Sequence, residues 1–254
     1  PQAAWDAARQ RMQALEAEMT RYRDDSAVAA LAAQAGRGAW PVSAELFAVL
    51  QHARRLWRES GGAFDPTVGA LAQWHFESPE PRLPSPQALR QELALVGAQG
   101  LRLDPARRTA ALARPGMRLD LGGVAKLPIL AAGLQALQDH GVRRALLDGG
   151  GDVLALGRDT DAPWQIGLRD PLRPEQLLAV LPLRRGVVAS SGDYERGWTL
   201  DGRRYHHVLD PHTGYPSQGV HGVSLVADTV DAVNGLGAAA MVLMRESTAK
   251  QLGC

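Results

Sequence analysis

Hydrophobic residues recur at alternating steps of three and four over the first twenty positions. A helix with 3.6 residues per turn places such positions on one face. The apolar face would carry Trp5, Ala8, Met12, Leu15 and Met19. The pattern therefore predicts that the chain starts with an amphipathic helix.

Two further helices are predicted from capping residues together with apolar spacing. Ser43 can cap a helix that ends at the Gly-Gly pair 61–62, because a serine side chain satisfies the free N–H groups at a helix start. Its apolar face would carry Leu46, Leu50, Ala53 and Trp57. Ser85 and Pro86 begin a third helix that we expect to reach about Leu95, since proline suits the first helical turn.

The second half of the chain alternates between strand and helix patterns. Residues 117–121 alternate in polarity and predict a strand, which leads through Gly122 and Gly123 into a helix that Gly141 ends. Short strands are predicted at 144–147, 164–168, 178–183, 187–190 and 222–227, and a last helix at 231–244. Helices interspersed among strands of this kind predict one α+β unit over residues 1–254.

Composition excludes several classes of protein. The chain has 254 residues, 45% of them hydrophobic, and a formal net charge of +1 with dispersed arginines, so we expect a sizeable core and no nucleic-acid partner. Cys254 is the only cysteine, which excludes a disulfide within the chain and a cysteine metal cage. No apolar run is long enough for a transmembrane segment. The N-terminus begins in a helical pattern without a signal peptide, so we expect trimmed ends or an unusually short protein.

The segment with the most groups that could take part in chemistry is His-His-Val-Leu-Asp-Pro-His-Thr-Gly-Tyr-Pro at residues 206–216. Its prolines and Gly214 predict a sharp turn at the end of a strand. Three interpretations are open: a metal site built from His206, His207 and His212, a structural turn, or a general base. The histidine spacing matches no standard zinc pattern. Adjacent residues on a strand point to opposite faces, so only one of His206 and His207 can face a given pocket.

Four glycine-containing turns also carry polar groups, at residues 61–66, 120–126, 148–152 and 190–193. The joint at 120–126, in which a strand runs through two glycines into a helix, suits an anion such as phosphate. Its glycine spacing fits neither a Walker A loop nor a dinucleotide-binding fingerprint. A hydrolase built on Ser190 or Ser191 would lack the G-x-S-x-G turn.

Taken in order along the chain, these segments resemble the motifs of the ApbE family, the FAD:protein FMN transferases. The matching segments are 19–26, 62–69, 120–126, 150–152, 190–194 and 207–216. The resemblance implies an α+β, ApbE-like fold that is similar to T-folds, with two intertwined subdomains and a flavin site in the cleft between them. It also implies a location outside the cytoplasm, either periplasmic or membrane-anchored.

The resemblance implies a phosphoryl transfer as the reaction. A Thr or Ser hydroxyl of a target protein with an FMN-binding domain attacks the FMN-side phosphorus of FAD, and AMP leaves. His207 would be the base or orienting residue. Contacts with FAD would come from Tyr22, Ala63, Phe64, Asp65, Asp120, Lys126 and Leu209. The backbone carbonyl of Gly123 would contribute to a Mg²⁺ site, together with side chains at positions 234 and 238.

This sequence departs from the family pattern on the metal side. Asn234 and Ala238 stand where the family has Asp and Thr, and Leu127-Pro128 follows Lys126 where the family has Gly and an aromatic residue. An amide oxygen is a weaker ligand for Mg²⁺ than a carboxylate, and alanine offers no ligand. Further departures are Ala32 and Ala131, where the family has Asn and Asp. These departures keep open a second function, a non-catalytic FAD-binding or scaffold paralogue. A third, a pyrophosphatase that splits FAD into AMP and FMN, would need the metal even more.

Overall fold

The computed structural model describes residues 2–78, 80–173 and 175–244. Its helices are α1 (Gln2–Met19), α2 (Ala27–Ala33), α3 (Ala44–Glu59), α4 (Pro86–Leu93), α5 (Gly122–Asp139) and α6 (Leu236–Leu243). The first strands are β1 (Trp40–Pro41), β2 (Leu101–Asp104), β3 (Thr109–Leu112), β4 (Ala145–Asp148), β5 (Val153–Leu156) and β6 (Trp164–Arg169). The remaining strands are β7 (Leu177–Leu183), β8 (Gly186–Gly192), β9 (Gly197–Leu200), β10 (Arg203–His206) and β11 (Gly222–Ala227).

The strands form four separate antiparallel sheets. The largest has the order β11-β8-β5-β4, a second has the order β1-β3-β2, and two-stranded sheets pair β6 with β7 and β9 with β10. Helix α5 packs along α1, and a Cβ at Gly133 would lie 2.5 Å from the sulfur of Met12. This close packing lets α5 lie between two apolar cores, one with α3 and β3 and one with the largest sheet.

A separate aromatic core supports the turn at 206–216. Trp74 stacks on Phe76 and Tyr205 and meets Tyr215 edge-on. Its indole N–H donates a hydrogen bond of 2.8 Å to the carbonyl oxygen of Gly214. Aromatic pairs of this kind add stabilisation beyond their buried area, so the turn has a rigid base.

The α+β class is confirmed, as are the helices predicted from Trp5, Ser43 and Ser85 and the strands predicted from 144 onward. Both capping serines accept the expected backbone N–H, at 3.0 Å from Leu46 and 3.2 Å from Ala88. Helix α2, capped by Ser26, was not predicted.

One predicted strand and the predicted start of the last helix are wrong. Residues 117–121 form no regular strand, although Met117, Leu119 and Leu121 are all buried. The Asp120 N–H donates instead to the carbonyl of Pro66 at 2.7 Å, so this segment pairs with a loop. The last helix begins at Leu236 and not at 231, because Gly235 adopts a left-handed conformation with φ of 79°.

None of the helices within 2–78, 80–173 and 175–244 combines the length and apolarity that crossing a membrane requires. Cys254 lies outside the described residues.

The buried carboxylate of Asp65 joins two loops. Asp65 Oδ1 accepts hydrogen bonds from the backbone N–H and the hydroxyl of Thr67, at 2.7 and 2.5 Å. Asp65 Oδ2 accepts the backbone N–H of Ala98 at 2.9 Å, and the Thr67 oxygen accepts the N–H of Gly97 at 2.7 Å. This network fixes the loop 62–69 against the segment before β2.

Removing the Thr67 hydroxyl should therefore destabilise the fold. We expect Thr67→Val, which preserves the side-chain shape, to lower the free energy of unfolding by about 1–3 kcal/mol because it leaves buried polar groups unpaired. Urea denaturation provides the measurement. Thr199→Val, at an exposed position of β9, is the control and should change stability by less than about 0.5 kcal/mol. Equal stability of the two variants would contradict the role of Thr67.

Candidate functional site

Two adjoining cavities meet at the strand end that precedes the 206–216 turn. The larger has a volume of about 950 Å³ and the smaller about 490 Å³. Both are lined by Val68, Asp120, Arg196, His207 and Leu209. A single elongated ligand could therefore contact His207 from either cavity.

The backbone carbonyl of Arg196 holds the ring of His207. His207 follows β10 directly, and its backbone N–H and its Nδ1 both lie within hydrogen-bond distance of the Arg196 oxygen, at 3.2 and 3.3 Å. A carbonyl oxygen can only accept, so Nδ1 carries the proton and Nε2 is the nitrogen with a free lone pair. Nε2 can therefore accept a proton from a ligand in the cleft.

The surroundings of His207 favour its neutral form. Burial and the nearby positive charge of Arg196 lower its pKa to about 4. Both causes disfavour an added proton. His207 is consequently an unprotonated imidazole at neutral pH.

The other two histidines of the turn face elsewhere. His206 is buried, donates from Nε2 to the carbonyl of Ser217 at 2.8 Å, and has a pKa that burial lowers. His212 is exposed and lies 3.2 Å from Asp210. Among residues 2–78, 80–173 and 175–244 no cluster of His, Cys, Asp and Glu suits a metal ion. The interpretation as a three-histidine metal site is thus wrong, and His206 has the structural role.

The serine hydrolase interpretation also lacks its geometry. The hydroxyl of Ser190 pairs with that of Ser224 at 3.2 Å. Within the part of the chain that the structure describes, no histidine contacts the hydroxyl of Ser190 or Ser191. Both serines line the smaller cavity.

Lys126 lies on the wall of the smaller cavity. Its Nζ is 3.1 Å from Asp152 Oδ2, and the other oxygen of Asp152 accepts the backbone N–H of Ser190 at 2.8 Å. The lysine side chain stays 45% exposed, so its ammonium can contact a ligand while Asp152 holds it at the cavity wall. The motifs at 120–126, 150–152 and 190–194 thus meet at the wall of the smaller cavity.

Asp120 and Tyr22 lie at the rim of the larger cavity. Asp120 Oδ1 accepts the N–H of Gly122 at 2.9 Å, and Oδ2 is 3.4 Å from the guanidinium of Arg21. The Tyr22 hydroxyl accepts a hydrogen bond of 3.0 Å from Arg196. Arg196 was missed by the sequence reasoning. Its position directly opposite His207 in the β9–β10 hairpin, where His206 pairs with Gly197, could have identified it.

The predicted contacts at Ala63, Phe64 and Asp65 line the smaller cavity. Burial raises the pKa of Asp65, whereas its hydrogen bonds from Thr67 and Ala98 oppose that change. Its carboxylate is engaged within the protein, as is expected of a residue that shapes the cleft. Its contact with FAD, like those of Tyr22, Leu209 and the others, stays a prediction.

The three positions predicted for Mg²⁺ come together but do not fit the ion. Gly123 packs against Ala238, since a Cβ at 123 would lie 3.8 Å from the alanine methyl. The amide of Asn234 donates from Nδ2 to the carbonyl of Val124 at 2.9 Å. Mg²⁺ requires oxygen ligands in octahedral geometry. Ala238 supplies no side-chain oxygen, and Asn234 can offer only a neutral amide oxygen, which is a weaker ligand than a carboxylate.

Comparison with known proteins identifies the family. The sequence model of the ApbE family matches residues 2–252. The chain belongs to the ApbE family.

Two of its relatives are FAD:protein FMN transferases. That of Treponema pallidum is 37% identical over 93% of this chain and 70% of its own length. That of Klebsiella pneumoniae is 35% identical over 78% of this chain and 62% of its own length. The match thus leaves about a third of these relatives' length uncovered.

Solved ApbE structures share the fold. The ApbE protein of Thermotoga maritima superposes with a TM-score of 0.88 at 31% identity, covering 96% of this chain and 79% of its own. The flavinyl transferase ApbE of Pseudomonas stutzeri gives a TM-score of 0.83 at 27% identity, covering 99% and 80%. The ApbE-like fold that the motifs implied is confirmed.

The lowered pKa of His207 predicts a specific acid sensitivity. Its pKa is about 4 in the folded state and about 6.5 in an unfolded chain, so the unfolded state binds the extra proton first. The contribution of His207 to the free energy of unfolding is therefore fully present above pH 6.5 and is lost as the pH drops toward 4. His207→Asn should remove about 2 kcal/mol of the loss between pH 7 and pH 5.

Urea denaturation of both proteins at pH 7, 6 and 5 measures this difference. His212→Asn, at an exposed position, is the control and should retain the pH dependence of the parent protein. Parallel curves for the parent and His207→Asn would contradict the lowered pKa.

Proposed function

We propose that this chain transfers FMN from FAD to a Thr or Ser hydroxyl of a target protein. The hydroxyl oxygen forms a bond to the FMN-side phosphorus, the bond to the bridging oxygen breaks, and AMP leaves. The observation that carries the proposal is His207, a neutral imidazole fixed by Arg196 where two cavities meet. The relatives named for this activity support it.

His207 Nε2 accepts the proton of the attacking hydroxyl. A base with a pKa of about 4 is weak, but the negative diphosphate of FAD favours the protonated form and raises the pKa when FAD binds. The base would then approach the range in which proton transfer is most effective. Substrate binding would thus prepare the base.

Lys126 supplies positive charge for the diphosphate. Its ammonium is exposed toward the smaller cavity and anchored by Asp152. The backbone N–H groups at the start of α5 add the partial positive charge of a helix N-terminus. Charge of this kind stabilises the oxygens that become more negative during phosphoryl transfer.

A second candidate function is FAD binding without transfer. The observation that favours it is the pair of residues Asn234 and Ala238, since Asn234 offers only a weak ligand for Mg²⁺ and Ala238 offers none. Incubation with FAD and a purified FMN-binding acceptor domain separates the functions. Covalent flavin fluorescence on the acceptor supports transfer, bound FAD without labelling supports the binding paralogue, and AMP release without acceptor supports the pyrophosphatase.

We also propose that the acceptor is a protein outside the cytoplasm, periplasmic or facing that side of a membrane, with Thr or Ser as the attachment residue. These features rest on the family resemblance. Protease accessibility of the full-length protein in spheroplasts tests the location.

His207→Asn should abolish transfer while FAD still binds. We expect a loss of about 10²- to 10⁴-fold in kcat, because the general base is removed, and a Kd for FAD within about threefold of the parent value. Acceptor fluorescence in a denaturing gel reports transfer, and flavin fluorescence titration reports binding. His212→Asn should transfer at the parent rate. Full activity of His207→Asn would remove this residue from the reaction.

Lys126→Met should weaken FAD binding. A charged hydrogen bond contributes about 1.5–3 kcal/mol, so we expect Kd for FAD to rise roughly tenfold to a hundredfold. Arg102→Met removes one positive charge from an exposed position of β2 and controls for long-range attraction. If both variants bind FAD equally well, Lys126 serves only to hold Asp152.

A further inference from the structure

Helix α5 contains a proline in its interior, at Pro128. A proline has no backbone N–H, and its ring crowds the carbonyl four residues earlier. That carbonyl belongs to Val124, whose side chain is fully buried. The helix therefore cannot supply the usual donor to the Val124 oxygen.

Asn234 supplies a donor at this point. Its Nδ2 lies 2.9 Å from the Val124 oxygen, and the residue is only 3% exposed. An amide donates through nitrogen alone, so the partner fixes the orientation of the side chain. The hydrogen bond takes the place of the one that Pro128 removes.

The backbone around Asn234 is held against α5 from other directions. His52 of α3 donates from Nε2 to the Asn234 carbonyl at 2.9 Å. Gly235, with φ of 79°, approaches so closely that a Cβ there would lie 2.7 Å from Val124 Cγ1. The position of the amide is thus determined by packing as well as by its own hydrogen bond.

We propose that Pro128 and Asn234 act as a coupled pair, in which the amide nitrogen of Asn234 donates the hydrogen bond that Pro128 removes from the helix. Asn234 is a positioning residue for the first turn of α5, which carries Gly123 and leads to Lys126. Because Ala238 has no ligand atom and Asn234 offers only a neutral amide oxygen, we expect no Mg²⁺ to bind at positions 123, 234 and 238 of the flavin-free protein. The hydrogen-bond pair is independent of the proposed transferase function, and only its consequence for the diphosphate rests on that function.

A double-mutant cycle measured without flavin or acceptor tests the pair. Asn234→Leu retains the branched shape but removes the donor, and Pro128→Ala restores the N–H that the Val124 oxygen lacks. In EDTA we expect Asn234→Leu to lower Tm by about 4–8 °C with Pro128 present, and by less than half as much in the Pro128→Ala background. Equal decreases in the two backgrounds would overturn the coupling.

Pro86→Ala is the matched control, because Pro86 occupies the first turn of α4, where no helix carbonyl waits for its N–H. With this change the effect of Asn234→Leu should be undiminished. If Asn234→Leu folds only together with Pro128→Ala, that rescue is itself the expected coupling. Failure to fold in both backgrounds counts against the pair.

The metal consequence has a separate readout. The Tm of the parent protein in 10 mM Mg²⁺, about a tenfold excess over a millimolar Kd, should equal its Tm in EDTA. A rise with Mg²⁺ that Asn234→Leu abolishes would show that the Asn234 oxygen binds the cation and would overturn this expectation. Because neither assay uses FAD, a failure of the proposed transferase leaves both results interpretable.

Discussion

The site depends on the close packing of the first turn of helix α5 against the other segments of the cleft. Gly123 has no side chain, and Phe64 lies only 3.1 Å from where a Cβ would be. The Asp120 N–H, just before the helix, is held by Pro66 at 2.7 Å. Lys126, one turn farther on, consequently reaches Asp152 across the cleft. Residues that are distant in sequence meet because this turn admits no additional atoms.

The buried carboxylates of the cleft mainly organise backbone. Asp65 accepts N–H groups from two loops, and Asp152 accepts one from β8. Asp152 also pairs with the Lys126 ammonium at 3.1 Å and thereby fixes the position of that charge. Because the Lys126 side chain is still 45% exposed, its ammonium can contact an anionic ligand as well.

Local signals made much of the fold predictable. Serine caps and apolar spacing located α3 and α4, because both act within a few residues. The alternation at 117–121 reports burial correctly but not the pairing partner, which is a loop. The site motifs predicted His207 and Lys126 as site residues, and both line the smaller cavity. Arg196 was missed, since its role arises only when β9 and β10 pair, and the partner of Asn234 lies 110 positions away on α5.

The intact base and the altered metal positions are electrostatically compatible. His207, with a pKa of about 4 in the free protein, becomes an effective base only when negative charge from the diphosphate lies nearby. A divalent cation beside that diphosphate would cancel part of the same charge and oppose the rise in pKa. Because Ala238 offers no ligand and Asn234 only a neutral oxygen, a cation would cancel less of the phosphate charge that acts on His207. Weaker metal binding would thus reduce stabilisation of the leaving group while it favours proton acceptance, and the rate of transfer would reflect the balance between the two.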